Sequence, residues 1–475
     1  MLDRSIAEFC VKLAQKQGAS YAEARLENSY GDGYSLRNGI PDPAGFSEDT
    51  GIGIRVLVDG SFGFAATNKM DKTSLKLLVT KSVKSAQLAA KLNSKKIQFV
   101  PETVHKASVV HRQKQSFKSV SPKNKLAYLQ DLDKALLAVK DVTLANRDFT
   151  LSTSVEKKYF VNSEGSRIYQ ETPFFDMVYV LNVKDGSKTL QDYRQLTRTT
   201  GWEATNLLKL KPQLIAKIKA LQQNLRKSVL APRGKMDVVI SPIVAGIIAH
   251  ESCGHPYEAD RIFGREAAQA GESFVDTSMI GTRIGTDVVS LVDDPTLVGR
   301  AGSYAYDDEG IPARRKWLIK KGMITEFLHN RETAGQMGLR SNASSRATSY
   351  ASEPIVRMSN TYFLPGSWKD EELIKETKNG VYIKSFTEWN IDDKRFNFKS
   401  VGNEAYIIRN GQLREPVRSP AIELTTPQIY SSIDAIGKKV DFDAATCGKG
   451  EPTQGIPVTM GGPHLRLKNV RLGRK

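Results

Sequence analysis

"MDVVISPIVAGIIAHESCGHPYE", residues 236–258, passes from a strand pattern to a helix pattern within a few residues. Met236–Ile240 is a short apolar run of the kind buried inside a sheet. Ser241-Pro242 reads as a helix start, with serine at the N-cap and proline in the first turn, where its missing N–H costs nothing. The helix then runs through Ile243–Ala249 and delivers His250, Glu251 and, five positions after His250, a second histidine, His255.

That spacing is one residue longer than the His-Glu-x-x-His pattern of many zinc proteases. On a straight α-helix five residues advance about 500°, leaving the two side chains about 140° apart and unable to share an ion. Two departures from regular geometry would repair this. Gly254 can take the left-handed conformation that ends a helix, while Pro256 pushes His255 towards an extended backbone. The regular helix is therefore expected to stop near Cys253. A π-bulge would serve the same end. A catalytic zinc site also needs a third protein ligand. Cys253 lies on roughly the same helix face as His250. Cys447 lies in "AATCGKGEPTQGIPV", residues 444–458, read as a Gly-rich loop where close approach is easy. The residues mildly favour Cys447.

Outward from this stretch, the order of elements is helix, strands, helix, strands, which is not a regular βαβ repeat and predicts an α+β fold. The N-terminal segment "MLDRSIAEFCVKLAQKQ" is expected to be an amphipathic helix rather than a signal peptide. "ASYAEARLENSYGDGYSLRNG" reads as short strands broken by glycine, and "GIGIRVLVDGSFGFAAT" as a hairpin turning at Asp59-Gly60. Helices are expected over 71–94, 122–139 and 203–227, with a strand-rich stretch between the last two. A boundary near 230 divides an N-terminal α+β domain, 1–230, from a strand-rich C-terminal domain, 231–475, that carries the metal-site helix.

Composition bounds the function. The chain has 475 residues and a formal charge of +17, but its basic residues are scattered. No zinc-finger spacing, RNP motif or helix-turn-helix accompanies them. Nothing approaches the ~18 apolar residues of a membrane span. Neither nucleic acid nor membrane is an expected partner. Three cysteines, Cys10, Cys253 and Cys447, argue for a reducing cytoplasm over a disulfide framework.

Several segments together resemble the TldD/PmbA family, zinc metalloproteases also called modulators of DNA gyrase. These are "HESCGH" with the acids of "PYEAD", "DDEGIPARRKWLIKKGMITEFLHNRETA", "PIVRMSNTYFLPG" and "TCGKG". The resemblance covers nearly the whole length. It implies that His250, His255 and Cys447 hold Zn2+, that Glu251 is the general base, and that this is the catalytic TldD-type subunit. It also implies a peptide substrate and a dimer, formed either with itself or with a metal-free TldE/PmbA-type homologue. Two stretches depart from the pattern: Pro256-Tyr257 after the second histidine, and "SFTEWNIDDKRFNFKSVGNEAYIIRNG", which lacks a glycine-rich start.

Beyond the ligands, Glu258 and Asp260 are candidates to orient the histidines, and His329 to stabilise an oxyanion, although a structural role fits it equally. Asp307–Gly310 reads as an Asp-rich turn in preference to a second metal site. His105, His111 and His464 have no evident partner. The rival to a peptidase is a DNA- or topoisomerase-associated binding protein with a structural zinc site.

Overall fold

The structure is a computed structural model and describes residues 2–266 and 272–474. The fold is α+β and rests on two large mixed sheets. The N-terminal helix, Arg4–Lys16, is capped by the Asp3 carboxylate and buries Ala7, Cys10, Val11 and Ala14. Helices Lys72–Leu92 and Pro122–Leu137 start at Asp71 and Ser121, whose side chains accept backbone N–H groups. Asp59 and Gly60 both have positive φ, 49° and 74°, as a two-residue hairpin turn requires.

Two expectations need correction. Tyr21–Arg37 is one continuous 17-residue strand, paired with Gly45–Val58 on one side and Leu144–Asn162 on the other. Gly31 answers crowding, not turning: a Cβ there would lie 2.4 Å from the Thr153 carbonyl oxygen. The helical run at 203–227 is broken into Ala204–Leu208 and Leu210–Lys227, because Lys209 between them is left-handed at φ 46°.

The first sheet begins with the N-terminal strands and crosses residue 230 without a break. Its order runs through Leu144–Asn162, Arg167–Asp185 and Lys188–Arg198 to Asp441–Lys449, Gln454–Gly462 and Asn360–Phe363. The seam is narrow. Ala444 pairs with Gln195, while Arg194 forms an ion pair with Asp443 at 2.8 Å.

In the second sheet Gly234–Ile240 lies between Leu465–Arg474, antiparallel, and Asn379–Ile383, parallel. The hairpin Phe386–Ile391/Asn397–Gly402 forms one edge of this sheet. Helix Pro242–Ala249 is held between the sheets. Val244, Ala245 and Ile248 share one apolar core with Val238 and Ile240 of the second sheet and with Phe363 and Val458 of the first. This buries the helix on more than one side, as its nearly continuous apolar sequence demands. Among the described residues no helix is long and apolar enough to cross a membrane.

Candidate metal centre

Ser241 caps the helix as its sequence predicts, with its side chain accepting from the Val244 N–H. Past Ala249 the winding changes. His250–Gly254 is a π turn, and the His255 N–H donates to the His250 carbonyl, five residues back. A π turn takes more residues per revolution than an α turn, so the extra residue is absorbed and the two imidazoles return to one side. Their rings lie 4.8 Å apart, nearly perpendicular.

The left-handed turn at Gly254 does not occur. Gly254 (φ −53°, ψ −62°) and His255 (φ −60°, ψ −48°) are both right-handed, so Pro256 does not drive His255 into an extended backbone either. Gly254 is needed for another reason: a Cβ there would meet the Met358 sulfur at 1.7 Å. The chain continues through a 3-10 turn, His255–Tyr257, into a short helix, Ala259–Ile262.

Cys447 comes from the other sheet. It lies within strand Asp441–Lys449, opposite Ile456, and not in a loop; pairing with Gln454–Gly462 orders the whole "TCGK" stretch. One donor atom each from His250, His255 and Cys447 falls within 4.8 Å of the others, and all three residues are buried. Cys447 Sγ is 3.4 Å from His255 Nε2. A tetrahedral ion with zinc-like bond lengths asks for donors about 3.5 Å apart. His250 Nδ1 is buried with no hydrogen-bond partner among the described residues. Two imidazoles and a thiolate are also the borderline-soft donors that zinc accepts. The three residues therefore fit a metal ion.

Electrostatics prepare the cluster. Burial opposes a charge on Cys447, but the adjacent His255 and His250 outweigh it and hold the thiol well below its ordinary range. Burial likewise opposes charge on His250, yet Cys447, Glu251 and Glu258 raise its pKa. Cys447 thus favours the thiolate, the form that ligates metals.

Behind the cluster, Glu258 Oε2 lies 3.0 Å from His255 Nδ1 and accepts from Arg261 Nε at 3.0 Å. Desolvation disfavours this carboxylate's charge, but Lys449, His255 and Arg261 override it and hold its pKa far below normal. A His255 Nδ1–H bond to Glu258 leaves Nε2 to face the thiol, which is the usual way an outer carboxylate orients a metal-binding imidazole. Asp260 takes Lys449 Nζ at 2.7 and 2.8 Å. Lys449 is fully buried and also donates to the Val356 carbonyl. Buried Arg357 donates to the carbonyls of Cys447 and Gln454, fixing the strand that carries the thiol. Lys449 and Arg357 fall within quoted family segments, but no local pattern announced their roles.

Glu251, next to His250, is buried. Its Oε1 accepts from Trp389 Nε1 at 3.2 Å, and its Oε2 pairs with Arg395. Neither partner was anticipated, though both lie in the stretch that departs from the family pattern.

The remaining candidates lie elsewhere. Cys253 points into the apolar core, and burial raises its thiol pKa well above normal. His329 Nδ1 meets Thr333 Oγ1 at 3.2 Å beside the start of helix Arg331–Gln336, and burial lowers its pKa to about 4. Asp307 accepts from the N–H groups of Glu309, Ile311 and Ser345, which makes the Asp-rich segment a turn cap. His464 faces Tyr382 and Asp370, and His105 packs on Tyr306. The His111 backbone N–H bonds Glu171.

Comparison with known proteins places the whole chain. Family models for three PmbA/TldA metallopeptidase domains match: domain 1 at 22–86, the central domain at 115–221 and the C-terminal domain at 233–474. A protein named a metalloprotease from Methanocaldococcus jannaschii is 30% identical, over 94% of this chain and 95% of its own. A protein named a metalloprotease TldD homolog from Haemophilus influenzae is 26% identical, over 95% and 92%. The structure of TldE from Thermococcus kodakarensis superposes with a TM-score of 0.74 over 98% of this chain and 100% of that one, at 18% identity. With its fold, its converging His and Cys side chains and a C-terminal match spanning half its length, this chain belongs to the PmbA/TldD metallopeptidase family.

Proposed function

We propose that the chain is a zinc-dependent peptidase of the TldD kind, hydrolysing peptides or unfolded segments. The observation that carries this reading is the convergence of His250, His255 and Cys447 on one point, with Glu251 following the first ligand in sequence. In this reading residues 231–475 bear the chemistry and 1–230 form the N-terminal α+β domain. His250, His255 and Cys447 hold the ion. Bound there, zinc supplies Lewis acidity, polarising a peptide carbonyl and easing the loss of a proton from water. Glu251 takes that proton and returns it to the leaving amine. Glu258 keeps His255 oriented, and Arg357 keeps the Cys447 strand in place.

The edge strand Phe386–Ile391 supports an extended substrate. Its Trp389 reaches Glu251, so a peptide added along this edge would pass the base with its backbone hydrogen-bonded. The shared fold with TldE supports a dimer, with a TldE/PmbA-type homologue or a second copy. Three unpaired cysteines fit the cytoplasm. The rival DNA- or topoisomerase-associated reading draws on net charge and on the family's older name, and no site in the structure supports it among the described residues.

The test is metal analysis of the purified protein, paired with peptide cleavage by wild type and Glu251→Gln. The variant should keep its zinc and lose turnover about 10²- to 10⁴-fold. Full activity in Glu251→Gln would refute the assigned role.

A further inference from the structure

Arg395 sits at the tip of the Phe386–Ile391/Asn397–Gly402 hairpin and reaches back to Glu251. The tip is a built feature. Arg395 is left-handed at φ 62°, a conformation that a non-glycine residue holds only when its surroundings impose it. Asp392 imposes it here: its carboxylate accepts the N–H groups of Phe396 and Asn397, and its carbonyl accepts the Arg395 N–H. Thr426 Oγ1 closes the turn by donating to the Arg395 carbonyl. The guanidinium, with its side chain 16% exposed, spends Nη1 on Glu251, while its Nε is buried with no partner among the described residues.

Two facts about this arrangement bear on Glu251 acting as a base. Both carboxylate oxygens are engaged, one by the Trp389 indole and one by Arg395. And a guanidinium is a planar fork suited to binding a carboxylate through two N–H groups, yet here only one of its nitrogens meets Glu251.

We propose that Arg395 is a specificity-determining residue that exchanges Glu251 for a carboxylate of the bound peptide, so that a free C-terminus or an acidic side chain releases the base. The inference rests on the peptidase reading. In it the hairpin both offers the edge along which a peptide lies and carries the group that inspects it. A neutral peptide leaves Arg395 on Glu251. An anionic one presents a second carboxylate to the partly exposed guanidinium, draws it off Glu251 and frees that carboxylate oxygen for proton transfer.

The experiment compares one peptide as free acid and as C-terminal amide, and a matched pair with Glu or Gln near the cleaved bond. Zinc-loaded wild type, Arg395→Lys and Arg395→Asn are tested; asparagine tolerates the left-handed backbone. A second readout is Trp389 fluorescence, isolated as the difference between wild type and Trp389→Phe. In wild type, kcat/KM should favour a carboxylate-bearing member by about 10- to 100-fold, the worth of a charge-assisted hydrogen bond. The preference should collapse in Arg395→Asn and survive only partly in Arg395→Lys. The carboxylate peptide, not its neutral twin, should shift the Trp389 signal. Equal kcat/KM for acid and neutral members in wild type, or a preference that persists in Arg395→Asn, would overturn the inference and leave the peptidase reading intact. If no peptide is cleaved, the peptidase reading fails, and the fluorescence arm decides alone: a carboxylate-dependent shift lost in Arg395→Asn supports the role of Arg395, and no shift overturns it.

Discussion

Gly254 lies against Met358 with no room for a methyl group between them: a Cβ on Gly254 would come within 1.7 Å of the Met358 sulfur. Gly254 is the last residue of the π turn that brings the two histidines to one side, so a side chain there would press on Met358 within that turn. Gly254→Ala should lower stability by about 1–3 kcal/mol, as overpacking does, and reduce the zinc content of the purified protein. Met358→Ala in the same chain should recover part of both losses. Thermal melts and metal analysis of the single and double variants check this, and additive losses would count against it.

Glu258 is expected to act on the metal chiefly through His255, which it contacts directly. Glu258→Gln keeps the size and can still accept a hydrogen bond but removes the charge. Zinc affinity should fall about 10- to 100-fold, the usual effect of losing an outer carboxylate. Competition with a chelator measures it. Because Lys449 and Arg261 lose a buried counter-charge at 3.3 and 3.0 Å, stability should fall too.

The two central cysteines should separate cleanly. Cys447→Ser should lose zinc, since it removes a thiolate that the neighbouring imidazoles stabilise. Cys253→Ala should retain full zinc stoichiometry and cost only about 1 kcal/mol, because that thiol packs in the apolar core. Zinc content alone distinguishes the outcomes, and loss of zinc in Cys253→Ala would reassign the ligand.

His329 gives a pH dependence of known sign. Burial lowers its folded pKa to about 4, whereas the unfolded chain takes up the proton near the ordinary value of 6.5. Its contribution is therefore complete above pH 6.5 and is lost as pH falls towards 4, where the unfolded state binds a proton the folded state refuses. The full loss is on the order of 3 kcal/mol, at about 1.4 kcal/mol per unit. Denaturant titrations of wild type and His329→Gln across this window should show a shallower slope in the variant.

Local signals were readable where local physics decides. Ser241-Pro242, Asp71 and Ser121 start helices as their side chains dictate, and Asp59-Gly60 turns a hairpin. The angular mismatch between His250 and His255 demanded a distortion, and a π turn was one of the two solutions on offer. The other solution did not form: Gly254 stays right-handed, and what it answers is the approach of Met358, which no helix-end signal encodes. Gly31 misled in the same way: it looks like a turn residue but answers the approach of Thr153. The residues alone only mildly favoured Cys447 as the third candidate ligand and family resemblance decided for it, and its strand position was missed because composition cannot tell it from a Gly-rich loop. The clasp on Glu251 was invisible because Trp389 and Arg395 lie 138 and 144 residues along the chain.

The strand Asp441–Lys449 has two duties. It contributes the thiol, and through Ala444 and Gln195 it is the stitch joining the N-terminal strands to the rest of the first sheet. An ion gripped by Cys447 and the two histidines would rivet that strand to the end of helix Pro242–Ala249 inside the C-terminal half, while the halves stay joined through Arg55–Glu309, Lys158–Asp308 and Arg331–Glu164. Removing it should therefore loosen the packing around the strand before the halves part, so that zinc supply would set the firmness of one half as well as its chemistry.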